Sequence, residues 1–173
     1  MIKKSNKLNV YLGDITHDTI ISVSDTIPIN IGYVGSYMKK IFGEKVKLTL
    51  FKYPNDIISA IKKNPPDMLG LSNYSWNSYL SELIASIAKK YNSNVITAQG
   101  GPNFPNDEDS QIKFLSKRPA TDIYTYLEGE KSCSNIVQRI FEYDKNRKKI
   151  FEKPIEGCMF IRPETKNIAQ KVF

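Results

Sequence analysis

Short apolar runs alternate along the chain with longer segments in which apolar residues recur at helical spacing. The runs are alternating or continuously apolar, which predicts β-strands over residues 8–13, 46–51, 68–72, 94–99 and 122–127. The segments between them predict amphipathic helices over residues 32–42, 54–63, 76–91, 108–117 and 130–143. This order of elements predicts a doubly wound parallel sheet with helices on both faces.

The helix after the third strand has the clearest pattern. Its apolar positions begin at Trp76 and continue through Leu80, Leu83, Ile84, Ile87, Ala88 and Tyr91. We therefore expect Trp76 to pack on the sheet as the first core residue of this helix, with contact to a ligand as the alternative. After residue 143 the alternation of predicted strands and helices ends. Residues 144–173 are interpreted as a basic extension that holds one short strand at residues 158–161.

Composition narrows the class of protein. The chain has 173 residues, of which 40% are hydrophobic and two are cysteines, which suits one domain without a disulfide scaffold or a four-thiolate metal site. The apolar runs are too short to span a bilayer. The basic N-terminus shows no cleavage-site pattern, so we expect no signal peptide, no membrane partner and a cytoplasmic location.

The net charge of +7 raises the question of nucleic acid. Residues 1–143 carry +3 and residues 144–173 carry +4, and only 4 of the 25 basic residues are arginine. Arginine is the residue best suited to phosphate and base contacts. We therefore interpret the charge as a solvated tail and expect no nucleic-acid partner, with a patch for nucleic acid or an acidic partner as the alternative.

The unusual residues follow the strands. Four of the five loops at the carboxyl ends of the predicted strands are rich in glycine, amide, hydroxyl and aromatic groups, namely residues 14–19, 72–77, 100–105 and 128–130. Ligands of open parallel sheets bind at this edge. Each segment also has a structural explanation: a tight bend at residues 100–102, a helix cap at residues 72–73, and acidic residues at a helix N-terminus at residues 128–130. Their shared location favours a site for a broad ligand.

Several chemistries are excluded by the same loops. The chain has no GxxxxGK[ST] phosphate loop, no GxGxxG opening the first helix and no GxSxG elbow, and Ser72 stands where a receiver domain needs aspartate. One histidine leaves little material for a catalytic triad. Flavin mononucleotide stays open, because Thr16 and Thr19 could bind its phosphate.

Five segments resemble the N-terminal cobalamin-binding domain of radical S-adenosylmethionine proteins. They are residues 14–17, 28–37, 72–77, 100–105 and 128–130, and the likeness covers about residues 8–161 in the family's order. Residues 72–77 (SNYSWN) and 100–105 (GGPNFP) are the specific part. The resemblance implies a flavodoxin-like, Rossmann-like domain with strand order 2-1-3-4-5. It also implies a role as the cofactor-holding domain of an enzyme that transfers methyl groups or rearranges rings.

The resemblance further implies where cobalamin would bind. The corrin ring would lie over the loops after strands one, three and four, with Tyr74, Trp76 and Phe104 giving apolar surface. The nucleotide tail would enter a crevice lined by Ser72, Asn73, Gly100, Gly101 and Glu128. The full set of cofactor-binding candidates is Asp14, Thr16, His17, Gly32, Tyr33, Ser72, Asn73, Tyr74, Trp76, Asn77, Gly100, Gly101, Pro102, Asn103, Phe104, Glu128 and Gly129.

The chain departs from the family in its cysteines. The family binds a four-iron four-sulfur cluster and S-adenosylmethionine through C-x-x-x-C-x-x-C in a following domain, whereas Cys133 and Cys158 lie 25 positions apart. We expect both to be buried small hydrophobic residues. The expectation is a chain that holds cobalamin and is not catalytic alone. Its radical S-adenosylmethionine domain would be supplied in cis or in trans, beyond residues 144–173.

His17 is a candidate lower ligand to cobalt. Other cobalamin domains use Asp-x-His-x-x-Gly after the first strand, but here two residues separate Asp14 from His17 and position 20 is Ile. Three roles stay open for His17: ligation with the other ring nitrogen oriented by Asp14 or Asp18, organisation of the loop, or plain exposure. Two other functions also stay open for the chain, a non-catalytic signalling module with a basic tail and a flavin-binding domain.

Overall fold

The structure is a computed structural model that describes residues 7–17, 26–163, 165 and 167–171. Its strands are β1 (Leu8–Gly13), β2 (Val46–Phe51), β3 (Met68–Ser72), β4 (Ile96–Gly100), β5 (Ile123–Thr125), β6 (Cys158–Ile161) and β7 (Ile168–Lys171). The helices are α1 (Ile29–Phe42), α2 (Pro54–Lys63), α3 (Ser78–Tyr91), α4 (Glu108–Ser116), α5 (Gly129–Glu142) and α6 (Arg147–Ile150). None of the described helices is long and apolar enough to cross a lipid bilayer.

One sheet runs through the molecule in the order β2-β1-β3-β4-β5-β6-β7. The first five strands in this order are parallel, so the predicted fold class and strand order are confirmed. The five-strand count is incomplete, because β6 pairs antiparallel with β5 and β7 pairs antiparallel with β6. The residues of β6 from Cys158 to Phe160 are buried, so the added hairpin extends the core.

The two faces of the sheet carry separate cores. Helices α1 and α5 cover one face, where Met38 and Ile136 pack with Leu12 of β1. Helices α2 and α3 cover the other face, where Ile57 and Ile84 join one cluster. Side chains alternate between the faces along a strand, so neighbouring positions of β3 and β4 contribute to different cores.

Two helix ends follow directly from local chemistry. Helix α1 ends at Gly43, whose φ of 54° needs a residue without a Cβ, and α2 begins with Pro54, whose missing N–H costs nothing there.

The predicted start of α3 is wrong. That helix begins at Ser78, and Trp76 lies before it with 63% of its surface exposed rather than packed on the sheet.

Residues after Tyr143 take part in the same core. Ile150, Phe151 and Ile155 are buried among the residues of α1 and α5. Arg139 of α5 donates hydrogen bonds to the carbonyls of Ile150, Lys153 and Pro154, which fixes this segment against the helix. The predicted role of residues 144–173 as a link to a further domain stays a prediction.

Candidate functional site

A cavity of about 490 Å³ opens at the carboxyl edge of the parallel strands, on the face covered by α1 and α5. Its wall and floor residues come from β1, β3, β4, β5 and the N-terminal parts of both helices. They are Leu12, Asn30, Ile31, Tyr33, Val34, Gly70, Leu71, Ser72, Tyr74, Ala98, Gln99, Gly100, Gly101, Pro102, Thr125, Leu127, Gly129, Glu130 and Cys133. This is the edge at which the sequence predicts a ligand.

Small residues form the floor of this cavity. Gly70 of β3 lies directly opposite Ala98 of β4, and Gly100 follows two positions later on the same face. Larger side chains at these central strand positions would fill the space beneath α1 and α5. A glycine inside a strand often marks the close approach of a ligand or another backbone, and here it leaves the sheet uncovered.

Gly100 and Gly101 are also required by the fold. A Cβ at Gly100 would lie 2.2 Å from the Thr125 hydroxyl oxygen, and a Cβ at Gly101 would lie 2.5 Å from the Asn73 carbonyl oxygen. Gly101 has a φ of 140°, which residues with side chains rarely adopt. Both the tight bend and the open cavity edge therefore depend on this glycine pair.

A buried amide network joins the loops after β3 and β4. The Asn73 amide nitrogen donates to Gln99 Oε1 at 2.7 Å, and Asn103 donates to Asn73 Oδ1 at 2.9 Å. Gln99 in turn donates to the Thr121 hydroxyl at 2.7 Å, and Thr121 donates to Glu82 at 2.6 Å. Because Asn73 is fully buried and doubly bonded, it holds the loops in place behind the cavity.

A second network joins the loops after β1 and β3. The Ser72 hydroxyl donates to Asp14 Oδ1 at 2.5 Å and accepts from the Asn77 amide at 3.2 Å. Asn77 also donates to the Ile15 carbonyl at 3.2 Å and accepts from the Tyr74 amide at 2.8 Å. The Asn77 side chain therefore bonds to the loops after β1 and β3, and it does not cap the N-terminus of α3.

Exposed apolar side chains surround the mouth of the cavity. Tyr33 and Leu127 line the cavity with 61% and 78% of their surfaces exposed. Tyr74 stacks on Trp76 with ring centroids 4.5 Å apart. Tyr74 lines both the cavity and a groove of about 360 Å³ beside Asp14 and Thr16, and Trp76 lines the groove. The mouth thus offers flat apolar surface to a ligand larger than the cavity.

His17 lies outside the residues that line either space. Its Nε2 is 2.8 Å from the Trp76 carbonyl oxygen. A carbonyl can only accept a hydrogen bond, so Nε2 is the donor in this contact. Asp18 and Thr19, considered above as a partner for His17 and a phosphate ligand, lie outside the described residues.

The candidates predicted from the sequence fall into three groups. Those that line the cavity are Tyr33, Ser72, Tyr74, Gly100, Gly101, Pro102 and Gly129. Those in the adjoining groove or the supporting networks are Asp14, Thr16, Trp76, Asn73, Asn77 and Asn103. The rest lie outside both: His17, Gly32, Glu128, and Phe104, whose ring stacks on Tyr124 at 3.9 Å.

Sequence reasoning missed several lining residues. Gly70 stands within an apolar run and could have been found, because a strand-interior glycine is a positional signal. Ala98, Thr125 and Cys133 carry no such signal, since only the register of the sheet and the rotation of α5 bring them to the cavity. Leu127 likewise has no marker in the sequence, although its φ of 63° is uncommon outside glycine.

Both cysteines are free and buried, as predicted. Burial raises the pKa of the Cys133 thiol to about 12, and the charge of Glu130 adds to this effect. Burial also raises the pKa of Cys158. Within the described residues, no group of three or more histidine, cysteine or acidic side chains is placed to hold a metal ion.

The basic residues after residue 143 are partly engaged within the molecule. Arg147 donates to the buried Asp122 carboxylate, and Lys145 pairs with Asp67 at 2.8 Å. Burial alone would raise the pKa of Asp122, but the hydrogen bond and charge of Arg147, helped by Lys89, lower it. These pairs tie α3 and α6 to the amino-terminal edge of the sheet, which reduces the charge available to a nucleic acid.

The comparisons with known proteins point in one direction. No family model matches the chain. The cobalamin-dependent radical SAM methyltransferase TokK of Streptomyces tokunonensis is 37% identical over 65 residues, which are 38% of this chain and 9% of that protein. The cobalamin-dependent S-adenosylmethionine radical enzyme OxsB, with aqua-cobalamin and S-adenosylmethionine bound, superposes with a TM-score of 0.73 and 17% identity. Its form with aqua-cobalamin alone gives a TM-score of 0.72.

These findings confirm the resemblance that the sequence motifs indicate. The superposition with OxsB covers 97% of this chain and 22% of that enzyme, and at 17% identity it establishes a shared fold. The chain therefore has the α/β fold of one part of a cobalamin-dependent radical S-adenosylmethionine enzyme, and spans about a fifth of that enzyme's length.

Proposed function

We propose that this chain binds cobalamin at the carboxyl edge of its parallel sheet, as the cofactor-holding part of a cobalamin-dependent radical S-adenosylmethionine enzyme. The observation that carries the proposal is the cavity of about 490 Å³ over the small-residue floor of Gly70, Ala98 and Gly100. It lies at the edge where the sequence motifs converge. The similar proteins support cobalamin as the cofactor, and the cavity supports this edge of the sheet as its proposed location.

The residues at this edge suit a large ligand that has a narrow part for the cavity and a flat part for the apolar surface around its mouth. Cobalamin is larger than the drug-sized ligands that cavities of this volume enclose, so only the base and ribose of its nucleotide tail would enter. Gly100, Gly101 and Ser72 would hold the tail by close backbone approach and hydrogen bonding. Tyr33, Trp76 and Leu127 would support the corrin ring from their exposed apolar surfaces.

The chain's own contribution is position and environment. When bound, cobalamin would supply the cobalt chemistry, while the protein would orient it and exclude water from one face. Neither cysteine is placed for a cluster, so any radical step would need S-adenosylmethionine and an iron–sulfur cluster held by another domain, in cis or in trans. Methyl transfer and ring rearrangement are the two reaction classes that the resemblance implies.

Trp76 provides a direct test of binding. It is the single tryptophan of the chain, and it stacks on a residue that lines the cavity. Addition of hydroxocobalamin should quench its fluorescence and shift the corrinoid absorption bands, with a dissociation constant tighter than about 10 µM. If neither signal changes with any corrinoid, the proposal is wrong. The alternatives to test are then a flavin ligand and a protein partner.

Ala98→Val tests whether the cavity is the binding site. The two added methyl groups would extend from the floor into the space beneath α1 and α5, and valine suits a strand. Corrinoid affinity should fall about tenfold or more while the thermal unfolding midpoint changes little. Ala60→Val is the control for the same substitution away from the cavity, since Ala60 lies in α2 over the opposite face of the sheet. Equal affinities for both variants would remove the cavity from the site.

Ligation of cobalt by His17 needs a separate measurement. The Nε2 of His17 is engaged by the Trp76 carbonyl, so ligation would use Nδ1 or break that hydrogen bond. If His17 binds cobalt, His17→Ala should change the absorption spectrum of the bound corrinoid. An unchanged spectrum with unchanged affinity would assign His17 to the loop alone.

A further inference from the structure

The cavity has an unusual charge balance for a site expected to take part of a nucleotide. Among the described residues that line the cavity, Glu130 is the one with a charged side chain, and none is a lysine or an arginine. A second carboxylate, that of Asp14, accepts the hydrogen bond of the lining residue Ser72. The described lining residues therefore contribute one carboxylate and no cationic side chain to the wall.

The N-terminus of α5 would otherwise attract an anion. Gly129 is the first residue of this helix and lines the cavity, so the positive end of the helix dipole lies at the wall. Glu130 is the next residue and sits in the first turn. Its negative charge opposes the dipole at the position where a phosphate would bind.

We propose that Glu130 makes this cavity reject phosphomonoester dianions and select a portion of its ligand that carries no net charge of its own and offers N–H or O–H donors. A terminal phosphate carries close to two negative charges at neutral pH and offers only acceptors to the wall. Primary amides and ribose hydroxyls, which cobalamin carries, can donate to the Glu130 carboxylate. The assignment to a corrinoid rests on the proposed function, whereas the rejection of dianions rests on the cavity alone.

The test compares two ligands across three variants. Hydroxocobalamin is followed by Trp76 fluorescence and flavin mononucleotide by its own emission, each at low and high salt. The wild type should bind hydroxocobalamin and not flavin mononucleotide. Glu130→Gln should weaken hydroxocobalamin about fivefold to tenfold, because a charged acceptor is replaced by a neutral one. Glu130→Lys should bind flavin mononucleotide measurably, and salt should weaken that binding.

Glu142→Gln is the control, since it makes the same change at the exposed far end of α5. It should leave both affinities unchanged, and thermal unfolding of each variant checks that the fold is kept. Flavin mononucleotide binding to the wild type as tightly as to Glu130→Lys would overturn the inference. So would an unchanged hydroxocobalamin affinity in Glu130→Gln. If flavin mononucleotide binds only Glu130→Lys and hydroxocobalamin binds nothing, the corrinoid proposal fails and the rejection of dianions stands.

Discussion

Asn77 shows how a single amide can shape the edge of the sheet without lining the cavity. Its side chain is fully buried and bonds to the Ile15 carbonyl, the Ser72 hydroxyl and the Tyr74 amide. These partners lie on the loops after β1 and β3, so one residue sets the distance between two walls. A buried polar group is stabilising only while all its partners are present.

Asn77→Ala should therefore lower the free energy of unfolding by about 2–3 kcal/mol, because two buried hydrogen bonds and one partly buried hydrogen bond are lost. Urea unfolding measures this change. Asn55→Ala is the matched control, as Asn55 is exposed near the start of α2, and it should cost less than about 0.5 kcal/mol. Equal midpoints for the two variants would show that water replaces the Asn77 bonds.

Leu127 has an unfavourable backbone conformation and a side chain that extends the cavity mouth. Its φ of 63° disfavours leucine, while its exposed side chain extends the apolar mouth of the cavity. Asn tolerates this backbone conformation better than leucine does. Leu127→Asn should keep or raise the thermal midpoint while weakening corrinoid affinity several-fold, as read by Trp76 fluorescence. A weakened fold with unchanged affinity would contradict this assignment.

At the scale of elements, local pattern predicted the parallel part of the fold well. The spacing of Ile57, Ile58 and Ile61 with a proline before them determines α2, and the Gly43 stop determines the end of α1. Trp76 misled the pattern. It continues the apolar spacing of α3, but the Asn77 side chain bonds to the loops and the helix begins at Ser78, two residues after the predicted start.

The sequence predicted β6 but not its partner strand β7, and the reason is physical. Residues 168–171 read Ile-Ala-Gln-Lys, which is too short and too mixed for a strand pattern. Their pairing depends on β6, and that of β6 depends on β5, so the signal is tertiary. The cavity is similar: its loops were predicted, but Ala98 and Thr125 are placed by strand register.

The contacts of Asp122 join elements that are distant in sequence. The carboxylate accepts from Arg147 of α6, Lys89 of α3 and the backbone N–H of Thr97. Its pKa is lowered in the folded state, so the unfolded chain binds the proton more readily. The stabilisation is therefore present above the unfolded pKa of about 4 and is lost as pH falls through the lower folded value.

Asp122→Asn should lower the free energy of unfolding at pH 7 by about 3 kcal/mol, because Arg147 and Lys89 stay partly buried without a counter-charge. The stability of Asp122→Asn should also fall less steeply than that of the wild type between pH 5 and pH 3. These values lie about one unit above and below the ordinary aspartate pKa of about 4. Urea unfolding across this range measures both effects. Glu152→Gln, at an exposed position, should match the wild type at every pH.

At the scale of the whole molecule, the question is where the folding unit ends. The sequence places a boundary after residue 143, yet Ile150, Phe151, Ile155, Cys158 and Phe160 are buried with the core of α1 and α5. Phe160 is fully buried and packs edge-on against Phe151 at 5.1 Å. A chain without these residues would expose a large part of one face of its sheet.

A shortened chain of residues 1–143 should therefore lose cooperative thermal unfolding and bind a hydrophobic dye, because α5 and the edge of β5 lose their cover. In the full chain, Phe160→Ala should lower the free energy of unfolding by about 3–5 kcal/mol. Ile41→Ala, with Ile41 49% exposed, is the control and should cost far less. If the shortened chain unfolds cooperatively at the temperature of the full chain, the boundary after residue 143 is correct and the hairpin is an accessory. If it does not, the seven-stranded sheet is the unit that must fold before the cavity can bind any ligand.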